Sequence, residues 1–200
     1  MTMDDLLPFV SAADLSALTG TTVNSTDLIT KIALDSACTS VRSYLGQTIN
    51  LATTTESIDG RDRLTVRLHE RPVRSVTSVT VDGEALATTA WNLRGALLRR
   101  TDGGSFTLGV ANVVVNYSHG YNIDTSDPNG VEVPADIRLV ALLSARRVYT
   151  AVGTVSGAIQ SETMGSYAYT LSTAVVVSTA AELLPAELAV LDRYRIGVTV

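Results

Sequence analysis

Residues 11–20, Ser-Ala-Ala-Asp-Leu-Ser-Ala-Leu-Thr-Gly, open the chain's hydrophobic pattern with a short helix. Ser11 suits its N-cap, Leu15 and Leu18 share a face, and Gly20 can take the left-handed position that ends it. A longer helix follows. Asn24 or Ser25 caps it, and Asp27 favours its positive end. Leu28, Ile29, Ile32, Ala33, Ala37, Val41, Tyr44 and Leu45 recur at helical spacing up to Gly46. The short connection predicts an αα-hairpin.

The period then changes from helical to alternating. Leu64, Val66 and Leu68 alternate with Thr65 and Arg67, which predicts a strand. Val73, Val76, Val79 and Val81 predict another, closed by the hairpin-type turn Asp82-Gly83. Trp91 and Leu93, then Leu97 and Leu98, predict two short strands about Gly95. Gly103-Gly104 is a turn, and residues 110–117 are a further strand closed by Ser118-His-Gly-Tyr121. Roughly residues 56–120 therefore form a small antiparallel sheet.

Helical spacing returns after a loop rich in Asp, Ser, Pro and Gly at residues 122–133. Pro134 is placed at the first helical position, with Asp136 in the first turn. Ile137, Val140, Ala141, Ser144 and Val148 form one stripe, and Leu139, Leu142 and Leu143 fill much of the remaining girth. A helix apolar on most sides is expected to be buried on several of them. Residues 154–179 are rich in Thr, Ser and small residues. Their centre, residues 161–170, reads either as strand–turn–strand or as an extended arm. Pro185 starts a last helix over residues 185–195, with Leu188, Leu191 and Tyr194 on one side. The fold class is α+β: a mainly helical core of about four helices, an inserted antiparallel sheet, and an extended C-terminal arm. The segments divide as 1–55 for the N-terminal helices, 56–121 for the β-insertion, 122–153 for the third helix with its loop, and 154–200 for the arm and last helix.

Composition adds a tendency to associate. The 200 residues are 46% hydrophobic and 18% charged, with a mean hydropathy of +0.23, against ~25% charged in average soluble chains. The apolar run centred on residues 175–177 falls well short of the roughly 18 residues a membrane helix needs. The excess apolar surface must enter a core or meet other protein. Asp4 and Asp5 stand where a secretory signal would carry Lys or Arg, so the chain reads as made inside a cell. Net charge is −5 but uneven. Residues 1–60 carry 2 basic and 7 acidic groups, and residues 61–100 carry 8 Arg and 4 acids. An acidic part beside a basic one suits complementarity between subunits. Of 15 basic residues only Lys31 is Lys. Arg is the usual interface cation, and a GC-rich genome produces the same bias.

No arrangement with catalytic geometry emerges. His69 and His119 lie in different segments, without the i,i+4 spacing of a helical zinc site. Cys38 is the sole cysteine, set mid-helix on an Ala and Val seam where a thiol acts as a small hydrophobe. A Cys38–His119 nucleophile pair is formally possible, but His119 before Gly120 better suits the close of a strand. The segment Gly103-Gly-Ser-Phe-Thr-Leu-Gly109 joins strands and lacks the Lys of a phosphate loop. Arg61, Arg63, Arg67, Arg71, Arg74, Arg94, Arg99 and Arg100 raise nucleic-acid binding, yet a pI near 4.9 and sparse aromatics oppose a DNA-reading domain. A solvated sheet face, a protein contact or a lining beside passing DNA remain open for them. Arg138, Arg146 and Arg147 are either the solvent edge of a buried helix or partners for acids on a neighbouring subunit.

The order of motifs is more specific than any one of them. Val41-Arg-Ser-Tyr-Leu-Gly46 is followed by Arg71-Pro-Val-Arg-Ser-Val-Thr-Ser-Val-Thr-Val-Asp-Gly83. Then come Val113-Val-Val-Asn-Tyr-Ser-His-Gly-Tyr121, Val133-Pro-Ala-Asp-Ile-Arg138, Ser161-Glu-Thr-Met-Gly-Ser-Tyr167 and Leu191-Asp-Arg-Tyr-Arg195. Over nearly the whole chain this series resembles the head-to-tail connector, or adaptor, proteins of long-tailed, siphovirus-type phages, particularly of actinobacterial hosts. The resemblance implies a non-enzymatic virion protein of the neck, assembled in the host cytoplasm. It implies a dodecameric ring beneath the portal protein that extends the DNA channel and offers a platform to the next connector ring or the tail. No cofactor or metal is implied, and double-stranded DNA would pass without sequence-specific binding. A DNA conduit favours an acidic or neutral lumen, so the Arg-rich sheet would face outward or meet acidic protein. Another neck or tail-completion protein that binds the tail tube is the alternative. Candidate subunit contacts are Arg138, Arg146, Arg147, Tyr167, Leu191, Tyr194 and Arg195.

Overall fold

The structure is a computed structural model that describes residues 7–123, 131–157, 161–164, 167–170 and 180–195, with side chains described up to residue 152 and again from residue 180. It divides into two compact units: residues 1–46 with 133–200, and residues 47–132.

The first unit is helical. Helix α1 (Ala12–Thr19) begins with a reciprocal cap: the Asp14 amide donates to Ser11 Oγ at 3.1 Å, and the Ser11 amide donates to Asp14 Oδ2 at 3.0 Å. Gly20 closes it with φ +69°. Helix α2 (Leu28–Leu45) ends on Gly46 at φ +66°, where a Cβ would be strained. Its N-cap is Asp27, not Asn24 or Ser25. Asn24 Oδ1 instead takes the Thr26 amide and hydroxyl, tightening the turn before the helix. Thr30, Ala33, Leu34, Ala37, Cys38, Val41 and Leu45 are its buried face. At 100° per residue this face lies opposite Leu28 and Ile32, which are 71% and 47% exposed rather than in the core.

Helix α3 (Ala135–Gly157) packs against α1 and α2. The Arg138 amide bonds the Pro134 carbonyl at 3.1 Å, so Pro134 sits one position ahead of the first helical residue. Ile137, Val140, Ala141, Ser144, Ala145 and Val148 are buried, as the apolar stripe predicted. The remaining girth is less enclosed than expected: Leu139 is 52% exposed, and Leu142 and Leu143 are half-buried. The buried residues of α3 keep to one stripe, and Leu139 and Arg146 lie outside it. Strands β8 (Ser161–Met164) and β9 (Tyr167–Thr170) pair antiparallel, so both halves of that stretch are strands, and residues 165–166 between them lie outside the described residues. Residues 171–179 of the proposed arm lie outside the described residues. Helix α4 (Pro185–Leu191) packs on α2 and α3 with Leu191 fully buried. It is shorter than the spacing suggested, because residues 192–194 turn.

The second unit is built of two sheets. In the larger, β1 (Ala52–Gly60), β7 (Gly109–His119), β3 (Val73–Val81) and β4 (Glu84–Ala85) lie in the order β1-β7-β3-β4. In the smaller, β2 (Thr65–Arg67), β6 (Leu97–Arg100) and β5 (Trp91–Arg94) lie in the order β2-β6-β5. Val66, Leu68 and Leu98 share one core with Val79, Val81, Val113, Val115, Tyr117 and Phe106. Strand β1 begins ahead of residue 56. Ala-Thr-Thr-Thr-Glu-Ser-Ile carries almost no apolar alternation, and its place comes from continuous antiparallel pairing with β7, Ala52 opposite His119 through Ile58 opposite Val113. The Asp82-Gly83 and Gly95 turns fall where the sequence puts them.

Candidate functional site

The reactive side chains are placed for structure. Cys38 is fully buried. Burial pushes its thiol above the ordinary range, against weaker lowering by the Phe9 backbone and Arg42, which is the opposite of a nucleophile's need. It belongs to the helical unit and His119 to the β-unit. Gly104 donates its amide to Asp102 Oδ1 at 3.1 Å, and Arg100 Nε donates to the same oxygen at 2.9 Å. This pairing with Arg100 holds the Asp102 carboxyl down at about 2. The glycine segment is thus a closed turn around its own carboxylate. No group of three His, Cys, Asp or Glu among the described residues could hold a metal ion.

One polar cluster escaped the sequence reading because its members are far apart in the chain. Tyr117 is fully buried on β7 and donates to Glu56 Oε2 of β1 at 2.6 Å. The Tyr117 hydroxyl accepts from the Glu70 amide at 3.2 Å, and Glu70 Oε2 accepts from the Thr48 amide at 2.8 Å. The His69 amide also donates to Glu56 Oε2, at 3.1 Å. His119, 2% exposed, has Nδ1 3.7 Å from Glu70 Oε2 and makes no hydrogen bond through it. Burial lowers the His119 pKa, with Glu70 and Glu56 pulling it back up. Burial and the Glu56 bond raise that of Tyr117. The Tyr117 hydroxyl, the Glu56 side chain and the amides of His69 and Glu70 therefore tie the segment at residues 69–70 to the larger sheet, with the His119 ring packed beside Tyr117. His119 does close its strand.

The residues expected at a subunit contact are mostly engaged inside their own unit. Arg138 Nη2 reaches Asp14 Oδ1 at 3.2 Å. Arg147 grips Glu187 with both Nη atoms and donates to the Glu182 carbonyl at 3.0 Å. Tyr194 donates to Asp136 Oδ2 at 3.3 Å, and Arg195 lies 5.1 Å above the Tyr44 ring. Leu191 is buried. Tyr167 pairs its backbone opposite Met164, and its side chain is outside the described part. Arg146 is exposed and makes no hydrogen bond or ion pair among the described residues.

Among the described residues three surfaces stand out as open to other molecules. The first is the outer face of the smaller sheet. The register places Thr65, Arg99 and Asn92 on one rung and Arg67, Leu97 and Arg94 on the next, and all six are exposed. It carries three arginines and no acid, whereas Arg74 and Arg100 of the same unit bond within it. The second is an open, mainly apolar cleft of about 570 Å³ between α3 and α4, lined by Leu143, Arg146, Arg147, Ala151, Leu184 and Glu187. The third is a tip where the chain enters β7. Leu108 and Val110 there are 82% and 88% exposed. Residue 110 reads as the first residue of an ordinary strand, and Thr-Leu-Gly just before it shows no hydrophobic period.

No family model and no curated protein sequence matches this chain. Solved structures do match it in fold. A chain in the structure described as "Neck of native GTA particle computed with C12 symmetry" aligns with a TM-score of 0.57 at 12% identity, over 98% of this chain and 94% of that one. A chain of "Virion of native gene transfer agent (GTA) particle" aligns at 0.60 and 14%, over 98% and 94%. A chain of "Neck of empty GTA particle computed with C6 symmetry" aligns at 0.59 and 14%, over 96% and 91%. The α+β fold is therefore shared, helices and β-insertion together, with chains of phage-like particles.

Proposed function

We propose that this protein is a structural subunit of the neck of a phage-like particle: a head-to-tail adaptor that assembles as a ring below the portal. One observation carries the proposal, the fold shared end to end with chains from particle necks. The internal chemistry agrees, since Cys38, His119 and Tyr117 are sealed in the two cores. In this role the ring, a dodecamer, extends the DNA channel and gives the next connector ring or the tail a docking platform. Double-stranded DNA passes without sequence-specific contact, and no cofactor takes part. The protein is made in the host cytoplasm and ends in the virion neck.

Imaging the protein mixed with its cognate portal tests this. A ring of copies on the portal's tail-side face is expected; portals that stay bare at saturating protein would refute the adaptor role. The alternative, a tail-completion protein on the tail tube, would instead give cross-links to tube protein in intact particles.

A further inference from the structure

The tip holding Leu108 and Val110 is held rigidly by its surroundings. Ile58 pairs with Val113 and Gly60 with Gly109, so residues 110–112 of β7 stand opposite Asp59 alone. This is a bulge that turns the strand outward. Asn112 clamps it. Its Oδ1 accepts from the Gly60 amide at 2.8 Å, and its Nδ2 donates to Asp82 Oδ1 at 2.9 Å and the Thr107 carbonyl at 3.1 Å. The Ala111 amide donates to Asp59 Oδ1 at 2.7 Å, and Thr107 Oγ1 donates to Asp82 Oδ2. Ala111 is kept at φ +51°, a strained value for a residue with a Cβ. A Cβ at Gly60 would lie 1.8 Å from the Thr107 carbonyl oxygen, so only glycine permits the approach. All this order presents two large apolar side chains to water, inside a collar of two exposed aspartates, Asp59 and Asp82, bonded only to neutral donors.

The helical unit carries an apolar recess. Its cleft is lined by the apolar Leu143, Ala151 and Leu184, and Leu184 is 49% exposed. Its volume of about 570 Å³ leaves ample room for two aliphatic side chains. Arg147 is spent on Glu187, while Arg146 has no partner among the described residues. An apolar tip with an acidic collar thus has its match in an apolar cleft with a free guanidinium.

We propose that Leu108 and Val110 of one copy seat in the α3–α4 cleft of a neighbouring copy, with Asp59 and Asp82 facing that neighbour's Arg146. Unlike surfaces of identical chains then meet head to tail, and such a contact closes into a ring when its rotation allows. The contact deepens the ring-subunit reading and rests on it for placing copies side by side.

Cysteine pairing in the full-length chain tests it. The variants Val110→Cys and Leu184→Cys, mixed and oxidised with diamide, should give a disulfide-linked pair many times more abundant than either alone. Cys38 is buried and does not compete. The double variant should give a ladder of linked copies. Adding Leu108→Asp should weaken the linkage roughly tenfold or more, as for a central apolar contact, and Arg146→Glu should weaken it further. A yield no higher than with Thr53→Cys, an exposed control on β1, overturns the contact, as does indifference to Leu108→Asp. Rings on the portal without this linkage would sink the contact and spare the adaptor role. Linkage without rings would do the reverse.

Discussion

Replacing Tyr117 by Phe removes one oxygen atom and tests whether the buried polar cluster holds the β-unit together. The ring's packing in the core stays, since Tyr117 is fully enclosed among Val79, Val115 and their neighbours. Two hydrogen bonds go: the 2.6 Å donation to the Glu56 carboxylate and the 3.2 Å acceptance from the Glu70 amide. A bond to a charged partner is worth about 1.5–3 kcal/mol, and the partly buried Glu70 amide left without its acceptor adds to the loss. Glu56 is only half-buried and keeps the His69 amide, so water restores part of it. The net expectation is about 2 kcal/mol, a roughly thirtyfold shift in the unfolding equilibrium. Trp91 is the chain's only tryptophan and lies beside this core, so its fluorescence during urea unfolding reports on the unit directly. With a slope of about 1.3 kcal/mol/M, the midpoint should fall by roughly 1.5 M. A midpoint within about 0.3 M of the parent at unchanged slope would refute the cluster's role.

Acidification should destabilise the same unit. Burial keeps the His119 pKa below its ordinary 6.5. Below that pH the unfolded chain takes a proton that the folded chain refuses, so stability is complete above 6.5 and falls as pH drops toward the folded value, by at most about 1.4 kcal/mol per pH unit. His119→Gln should flatten this slope in Trp91-monitored urea titrations between pH 7 and 5.5, whatever its effect on absolute stability. Val140→Asp places a carboxylate at a position 3% exposed on α3 and should cost about 4 kcal/mol or more; a soluble, cooperatively melting variant would contradict the burial of that stripe. Glu187→Ala leaves the Arg147 guanidinium, 26% exposed, without its carboxylate. About 2–3 kcal/mol should be lost, less than for a fully buried pair because the rim is hydrated. Faster amide exchange across residues 185–191 would register it, and Glu187→Gln should recover part.

Much of the fold can be read from local rules. Ser11 with Asp14, and the glycines at 20 and 46, mark helix ends through one- to four-residue chemistry that needs no tertiary context. The valines of β3 and the Asp82-Gly83 turn identify a hairpin for the same reason. Strand β1 was less legible because threonine and glutamate carry no hydrophobic period; only the exposed edge of β7 gives it a place. The face of α2 was misjudged for a related cause. Leu28 and Ile32 fit helical spacing with Ala33 and Ala37, but periodicity alone does not say which side of a helix meets its neighbours.

The candidate surfaces were less visible still. The sequence singled out Arg138 and Arg147 for neighbouring subunits, yet each finds a carboxylate in its own unit, Asp14 and Glu187, 124 and 40 residues away in the chain. Whether an arginine is spent or free depends on such distant partners, and no local pattern records them. The same holds for Val110, which reads as an ordinary strand residue although the bulge against Asp59 leaves it exposed, and for Leu108 just ahead of the strand. By itself the sequence determined the type and order of every helix and of most strands, and the ends marked by glycine or a capping serine, because those follow from backbone chemistry within a few residues. Tertiary structure alone decided which apolar side chains are core and which remain for a partner, since burial is a property of neighbours brought together from across the chain.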